Sequence, residues 1–212
     1  MQNTTDFSTL CCVKPESDSI PGWLLACLFA LLFAPSLHAA DGASVKYAEI
    51  RATHEGYELD AQFVLNPNRT LEDALQKGIA LHFVAEAEIT SPRNWWLDEN
   101  IGEATRHMRI YHNLLLRRYV VDAGYVTKTA AALDEALAIL GHLESWQVLE
   151  RGALKPGQRY EARVRLRLDT SKLPKPLQIG VVSGGKWELE SPWYDWTFDA
   201  PAPPARLSMP SP

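Results

Sequence analysis

Tyr160-Glu161-Ala162-Arg163-Val164-Arg165-Leu166-Arg167-Leu168 alternates apolar and charged residues without a break. Side chains on a strand point to opposite faces with period two, so this stretch is a strand with one buried and one solvated face. That pattern belongs to antiparallel sheets and sets the fold class. The strand is preceded by the turn signal Lys155-Pro156-Gly157-Gln158 and followed by Leu173-Pro174-Lys175-Pro176-Leu177, read as an extended proline-bearing crossing.

Similar signals recur upstream. Ser44–His54 and Tyr57–Leu65 alternate about Glu55-Gly56 and read as a hairpin. Ile79–Thr90 continues the alternation through Ile79, Leu81, Phe83, Ala85, Ala87 and Ile89. Thr105–Tyr111 and Leu115–Val121 read as two strands joined tightly at His112-Asn113, because Asn tolerates left-handed turn geometry. Trp146–Arg151 is a short strand, and Trp187–Phe198, after the turn Ser183–Lys186, is a final strand or strand pair. Two helices interrupt the series. A short one opens at Asn68 or Thr70 and stops at Gly78, with Leu71, Ala74 and Leu75 on one face. A longer one is predicted over Val126–His142, with Leu133, Leu137 and Leu140 as its stripe. Strands do not alternate regularly with helices, so a doubly wound parallel sheet is excluded. The expected fold is mainly β: an antiparallel β-sandwich of immunoglobulin-like layout with two helices inserted at connections, and a half-open barrel as the alternative.

The expected organisation is a signal peptide over residues 1–40, one domain over 41–199 and a proline-rich disordered tail over 200–212. Trp23–Phe33 is an apolar run too short to span a bilayer, followed by Pro35 and the small residues Ala39 and Ala40. The preceding region departs from the usual positive pattern, since it holds Lys14 against Asp6, Glu16 and Asp18. Leu24-Leu25-Ala26-Cys27 has the composition of a lipoprotein box, yet most of the apolar run follows the cysteine instead of preceding it. The three cysteines, Cys11, Cys12 and Cys27, all fall within residues 1–40. Processing would leave a cysteine-free domain, with neither disulfides nor thiolate chemistry. It would also leave no membrane-spanning segment.

Catalytic signatures are missing from the sequence. There is no Gly-x-Ser-x-Gly elbow, phosphate loop or dinucleotide fingerprint. His107 and His112 lie five apart, which puts them on opposite faces of a strand, and His54, His82 and His142 are scattered. No metal or other cofactor is expected. The acid pairs Asp98/Glu99 and Asp134/Glu135 read as solvated surface. A net charge of -5 argues against nucleic acid as a partner.

Arginine and tryptophan carry the remaining signal. Arg106, Arg109, Arg117 and Arg118 decorate one predicted hairpin, and Arg163, Arg165 and Arg167 another strand. Trp95 and Trp96 precede the first set by a short interval. Arg and Trp dominate interface energetics, because each joins apolar contact area to directed donors. Arg106, Arg109, Arg117, Arg118, Trp95 and Trp96 are therefore the candidate interaction residues. The competing reading pairs the arginines with Glu86, Glu88 or Glu103 across neighbouring strands and buries the tryptophans.

The leader, the Ala/Leu helix after the basic hairpin, the run Leu168-Asp169-Thr170-Ser171-Lys172-Leu173-Pro174-Lys175-Pro176-Leu177-Gln178 and the ending Trp187-Glu188-Leu189 with Trp193-Tyr194-Asp195-Trp196 together carry a resemblance. Over Val45 to Phe198 the chain resembles a proteobacterial family of "proline-rich signal peptide proteins" built on a domain of unknown function. The resemblance implies a periplasmic location and genes beside a membrane sensor kinase, and it supplies no catalytic residues. The expectation is a periplasmic, non-enzymatic binding or accessory module with a protein partner in the periplasm or inner membrane. A cell-envelope hydrolase or carbohydrate-binding module is the alternative.

Overall fold

The computed structural model describes residues 42–92, 99–124, 126–181 and 186–204. The expected signal peptide, with its cysteines, lies outside the described residues. So do Trp95, Trp96, most of the Ser183–Lys186 turn and the tail beyond residue 204.

The described residues are mainly β, with two antiparallel sheets and three helices. Strands β1 (Gly42–Ala52), β2 (Gly56–Asn66) and β7 (His142–Glu150) form a three-stranded sheet in the order β1-β2-β7. Strands β3 (Leu81–Ser91), β4 (Glu99–Asn113), β5 (Arg118–Asp122), β6 (Thr127–Ala130), β8 (Arg159–Leu168) and β9 (Tyr194–Asp199) form a second, ordered β6-β5-β4-β3-β8-β9. β1 touches β8 and β9, and β7 touches β4, so the two sheets close on one core. Tyr57, Leu59, Phe63, Leu81, Phe83, Ile89, Ile110 and Leu166 are among its fully buried side chains.

The alternation in β8 is realised as read. Tyr160, Ala162, Val164, Leu166 and Leu168 are buried, and the arginines between them face outward. The β1–β2 hairpin and the turn at Lys155–Gln158 also form as expected, the latter closed by Gln158 N–H donating to the Lys155 carbonyl at 3.1 Å. Helix α1 (Arg69–Gln76) starts at Asn68, whose side chain accepts from the Leu71 N–H, and buries Leu71, Ala74 and Leu75. Gly78 follows it at φ 81, the left-handed conformation that glycine adopts without a Cβ penalty.

Three readings are corrected. The predicted helix over Val126–His142 is only half helix: α2 covers Leu133–Leu140. Thr127–Ala130 becomes β6 instead, paired with β5, and β7 begins at His142. Ladder hydrogen bonds to β5 override the helix propensity of the Ala130-Ala131-Ala132 run, and the β-branched threonines favour the same outcome. Within α2 the expected stripe holds, with Leu137 and Leu140 buried and Leu133 packed against the core. Second, the Leu173–Leu177 crossing is not extended throughout. A short 3-10 turn (Thr170–Lys172) leads into helix α3 (Lys175–Val181), in which Pro176 occupies the first turn, where a missing N–H costs nothing. Third, the final strand is shorter than Trp187–Phe198: its regular part is β9, preceded by an isolated bridge, Arg167 to Glu190. There the Leu166 N–H donates to the buried Ser191 hydroxyl at 3.0 Å, and Ser191 N–H returns a bond to the Leu166 carbonyl. Pro192 follows at once and cannot donate to the ladder.

Candidate functional site

The β4–β5 hairpin carries the candidate arginines, and strand parity divides them. Arg106 shares a face with the buried Met108 and Ile110. Its guanidinium lies 5.5 Å from the Trp146 ring centroid and donates to the Glu144 carbonyl. Arg106 is thus part of the packing between β4 and β7. Arg109 points out of the opposite face, pairs with Asp122 on β5 at 3.4 Å and stacks over Tyr111. The acid that Arg109 takes is Asp122, not the expected Glu86, Glu88 or Glu103. His107 and His112 do face opposite sides, His107 exposed and His112 tilted against the Tyr119 ring.

The turn lies two residues later than expected. β4 runs to Asn113, and Leu114-Leu115-Leu116-Arg117 makes the connection to β5. The Asn113 Oδ1 accepts from the N–H groups of both Leu115 and Leu116 at 3.1 Å, which fixes the loop against its own strand. Arg117 closes it at φ 51, in the left-handed region. The three leucines are 57%, 95% and 64% exposed. Turns ordinarily use Gly, Pro, Asn, Asp or Ser, so the exposed Leu115 and Leu116 have no structural return here, whereas Leu114 packs over Gly78. Arg117 and Arg118 are exposed beside them, and neither makes an ion pair with a described residue. On the other flank, the space above Gly78 is filled by Leu114, whose Cδ1 would sit 3.3 Å from a Cβ at that position. The exposed Lys77 is the next residue along.

Trp95 and Trp96, the other two candidates, lie outside the described residues.

The second arginine set makes the cross-strand pairs that the competing reading assigned to the first. On the outer face of β3 and β8, Arg163 donates to Glu88 at 2.9 Å, Arg165 to Glu86 at 2.7 Å and to Glu190 at 2.7 Å, and Arg167 to Glu86 at 3.0 and 2.7 Å. Trp193 lies between Arg163 and Arg165, with each guanidinium 4.5 Å from its centroid. This ladder consumes its own charges. A groove of about 470 Å³ beside it is lined by Glu88, Glu161 and Asp195 among others, but Glu88 is already committed to Arg163. Among the described residues no group of His, Cys, Asp and Glu could hold a metal ion.

The ladder makes stability sensitive to acid. Burial alone would raise the Glu86 carboxyl, but hydrogen bonds from Arg167 and Arg165 outweigh it and hold the pKa below its ordinary 4.5. Asp169 is likewise held down, first by the Ser171 hydroxyl. A carboxyl depressed in the folded state adds stability above its unfolded pKa and loses it as pH falls through the folded one. His82 is also lowered, by burial and then by Arg109. The unfolded chain therefore takes up that proton first, and stability drops as pH falls below 6.5. All three signs agree, so thermal midpoints are expected to fall in two stages: first as pH falls below 6.5, then again below about 4.5. In Glu86→Gln the second stage should be shallower. An identical acid limb in that variant would refute the assignment.

Residues 40–197 match the family described as "Domain of unknown function (DUF4390)". The match covers most of the chain, and the protein belongs to that family. No curated protein and no solved structure matches it.

Proposed function

We propose that this chain is an exported, non-enzymatic binding module of the periplasm. In this reading its interaction surface is the β4–β5 hairpin, and it serves a membrane-bound protein such as a sensor kinase. The observation that carries the reading is the leucine tip of that hairpin, exposed beside Arg117 and Arg118, which make no ion pair with a described residue. It combines the apolar area and directed cations on which interfaces depend. The Trp23–Phe33 run and the small residues after it support export. Among the described residues no helix is long and apolar enough to cross a membrane.

Two measurements test this. Fractionation is expected to find a species about 4 kDa smaller than the precursor in the periplasm, as loss of a leader of this length requires. Full-length chain confined to the cytosol would defeat export. Cross-linking through a photoreactive residue at position 115 in the living cell should then trap a defined neighbour at the membrane. Turnover of an envelope glycan by the purified chain, without any such neighbour, would favour the hydrolase.

A further inference from the structure

We infer that the Leu114–Leu116 tip docks on an anionic lipid surface, with the leucines entering the acyl boundary and Lys77, Arg117 and Arg118 meeting the phosphates. This rests on the reading of the β4–β5 hairpin as the interaction surface and names what it meets. The argument starts from shape. These leucines project as a point at the end of a 15-residue strand, a shape that enters a bilayer beside a membrane-bound partner. Leu115 at 95% exposure has almost no contact with its own protein, so burying it requires a medium that surrounds the tip on all sides. A fluid hydrocarbon boundary does this without shape complementarity.

Charge gives the second part. From His112 to Val121 the chain contains no acid and two arginines. Lys77 reaches the same end of the molecule from α1, through the contact between Gly78 and Leu114. Three cations around an apolar point match the arrangement in which interfacial segments combine apolar burial with attraction to anionic head groups. The acids of α1, Glu72 and Asp73, lie at least a turn earlier in the helix.

The loop is also built to hold this shape. The Asn113 side chain fixes the Leu115 and Leu116 N–H groups, and Arg117 sits in the left-handed region. Arg117→Gly therefore removes a charge at a position where glycine is conformationally favoured. Leu115→Ser and Leu116→Ser remove apolar area that contributes little to the fold.

The test uses residues 40–212, a compact unit with its own core and no cysteine. It is sedimented with phosphatidylcholine vesicles that either lack phosphatidylglycerol or contain it at about 30%. Binding is expected only to the anionic vesicles. It should weaken about tenfold for each leucine replaced and about fivefold for Arg117→Gly. A Leu115→Cys variant labelled with an environment-sensitive dye should shift to the blue on the same vesicles. Binding that ignores the leucine changes, or leaves the dye in water, would overturn the inference. Absence of vesicle binding, with the cellular cross-link at position 115 still present on a protein, would overturn it too and leave the proposed function standing. Absence of both would remove both.

Discussion

Gly141→Ala is expected to destabilise the protein by about 3 kcal/mol, at the upper end of what overpacking costs. Gly141 is not merely the residue that stops α2. Its φ of -77 is open to any amino acid. What forbids a side chain is β2: a Cβ at this position would run into the Phe63 carbonyl oxygen and lie 3.2 Å from the carbonyl carbon. That approach is set by a 2.7 Å hydrogen bond from the Phe63 N–H to the Gly141 carbonyl, which ties the helix end to the central strand of the smaller sheet. Backbone cannot rotate away as a side chain can. Gly102→Ala is the internal comparison, since its added methyl meets only the end of the Leu149 side chain. It should cost about 1 kcal/mol, the central value for single substitutions. Denaturant midpoints at unchanged slope decide the matter, and equal costs for the two would show that the backbone approach is not what matters.

Trp146→Ala is expected to cost about 3–5 kcal/mol, the range for truncating a buried aromatic. Trp146 is 4% exposed, pairs across from Leu59 and is covered by the Arg106 guanidinium. Arg106→Ala should cost about 1 kcal/mol, since it removes the stacked cation and keeps the indole buried. A larger loss for Arg106 than for Trp146 would mean that the arginine orders β7 by itself. Either variant should leave vesicle binding at the leucine tip intact, because Arg106 faces the core and the tip lies beyond the end of its strand.

Strands whose burial is one-sided were legible in the sequence. β2, β3 and β8 alternate because one face meets the core and the other water, and period two records that directly. β6 was not legible. Its four residues are exposed apart from Ala130, so they carry no burial pattern, and only pairing with β5 makes them a strand. The partners of β3 could not be read either. Glu86 takes Arg165 and Arg167 from 79 and 81 residues away, and neither end signals the other. At the candidate site, the arginines were found but their roles were not. Parity about the buried Met108 and Ile110 would have separated Arg106 from Arg109. The leucine tip reads as the start of a strand because it is apolar, yet Leu114-Leu115-Leu116 does not alternate and directly follows an asparagine suited to a turn.

The central position of β3 has a consequence for how the chain reaches its native state. One neighbour, β4, arrives after a short connection, but the other, β8, is supplied only near the end of the chain, where Phe83 meets Leu168 and Thr90 meets Glu161. The smaller sheet has the same delay, since β2 must wait for β7. Contacts between distant parts of a sequence form slowly, because loop closure must precede any gain from pairing. Until β8 is available, the open edge of β3 presents Glu86 and Glu88 without their arginines, and like charges along that edge discourage it from pairing with another copy. The carboxylates that later anchor the ladder therefore also guard the open edge of β3 before β8 joins it.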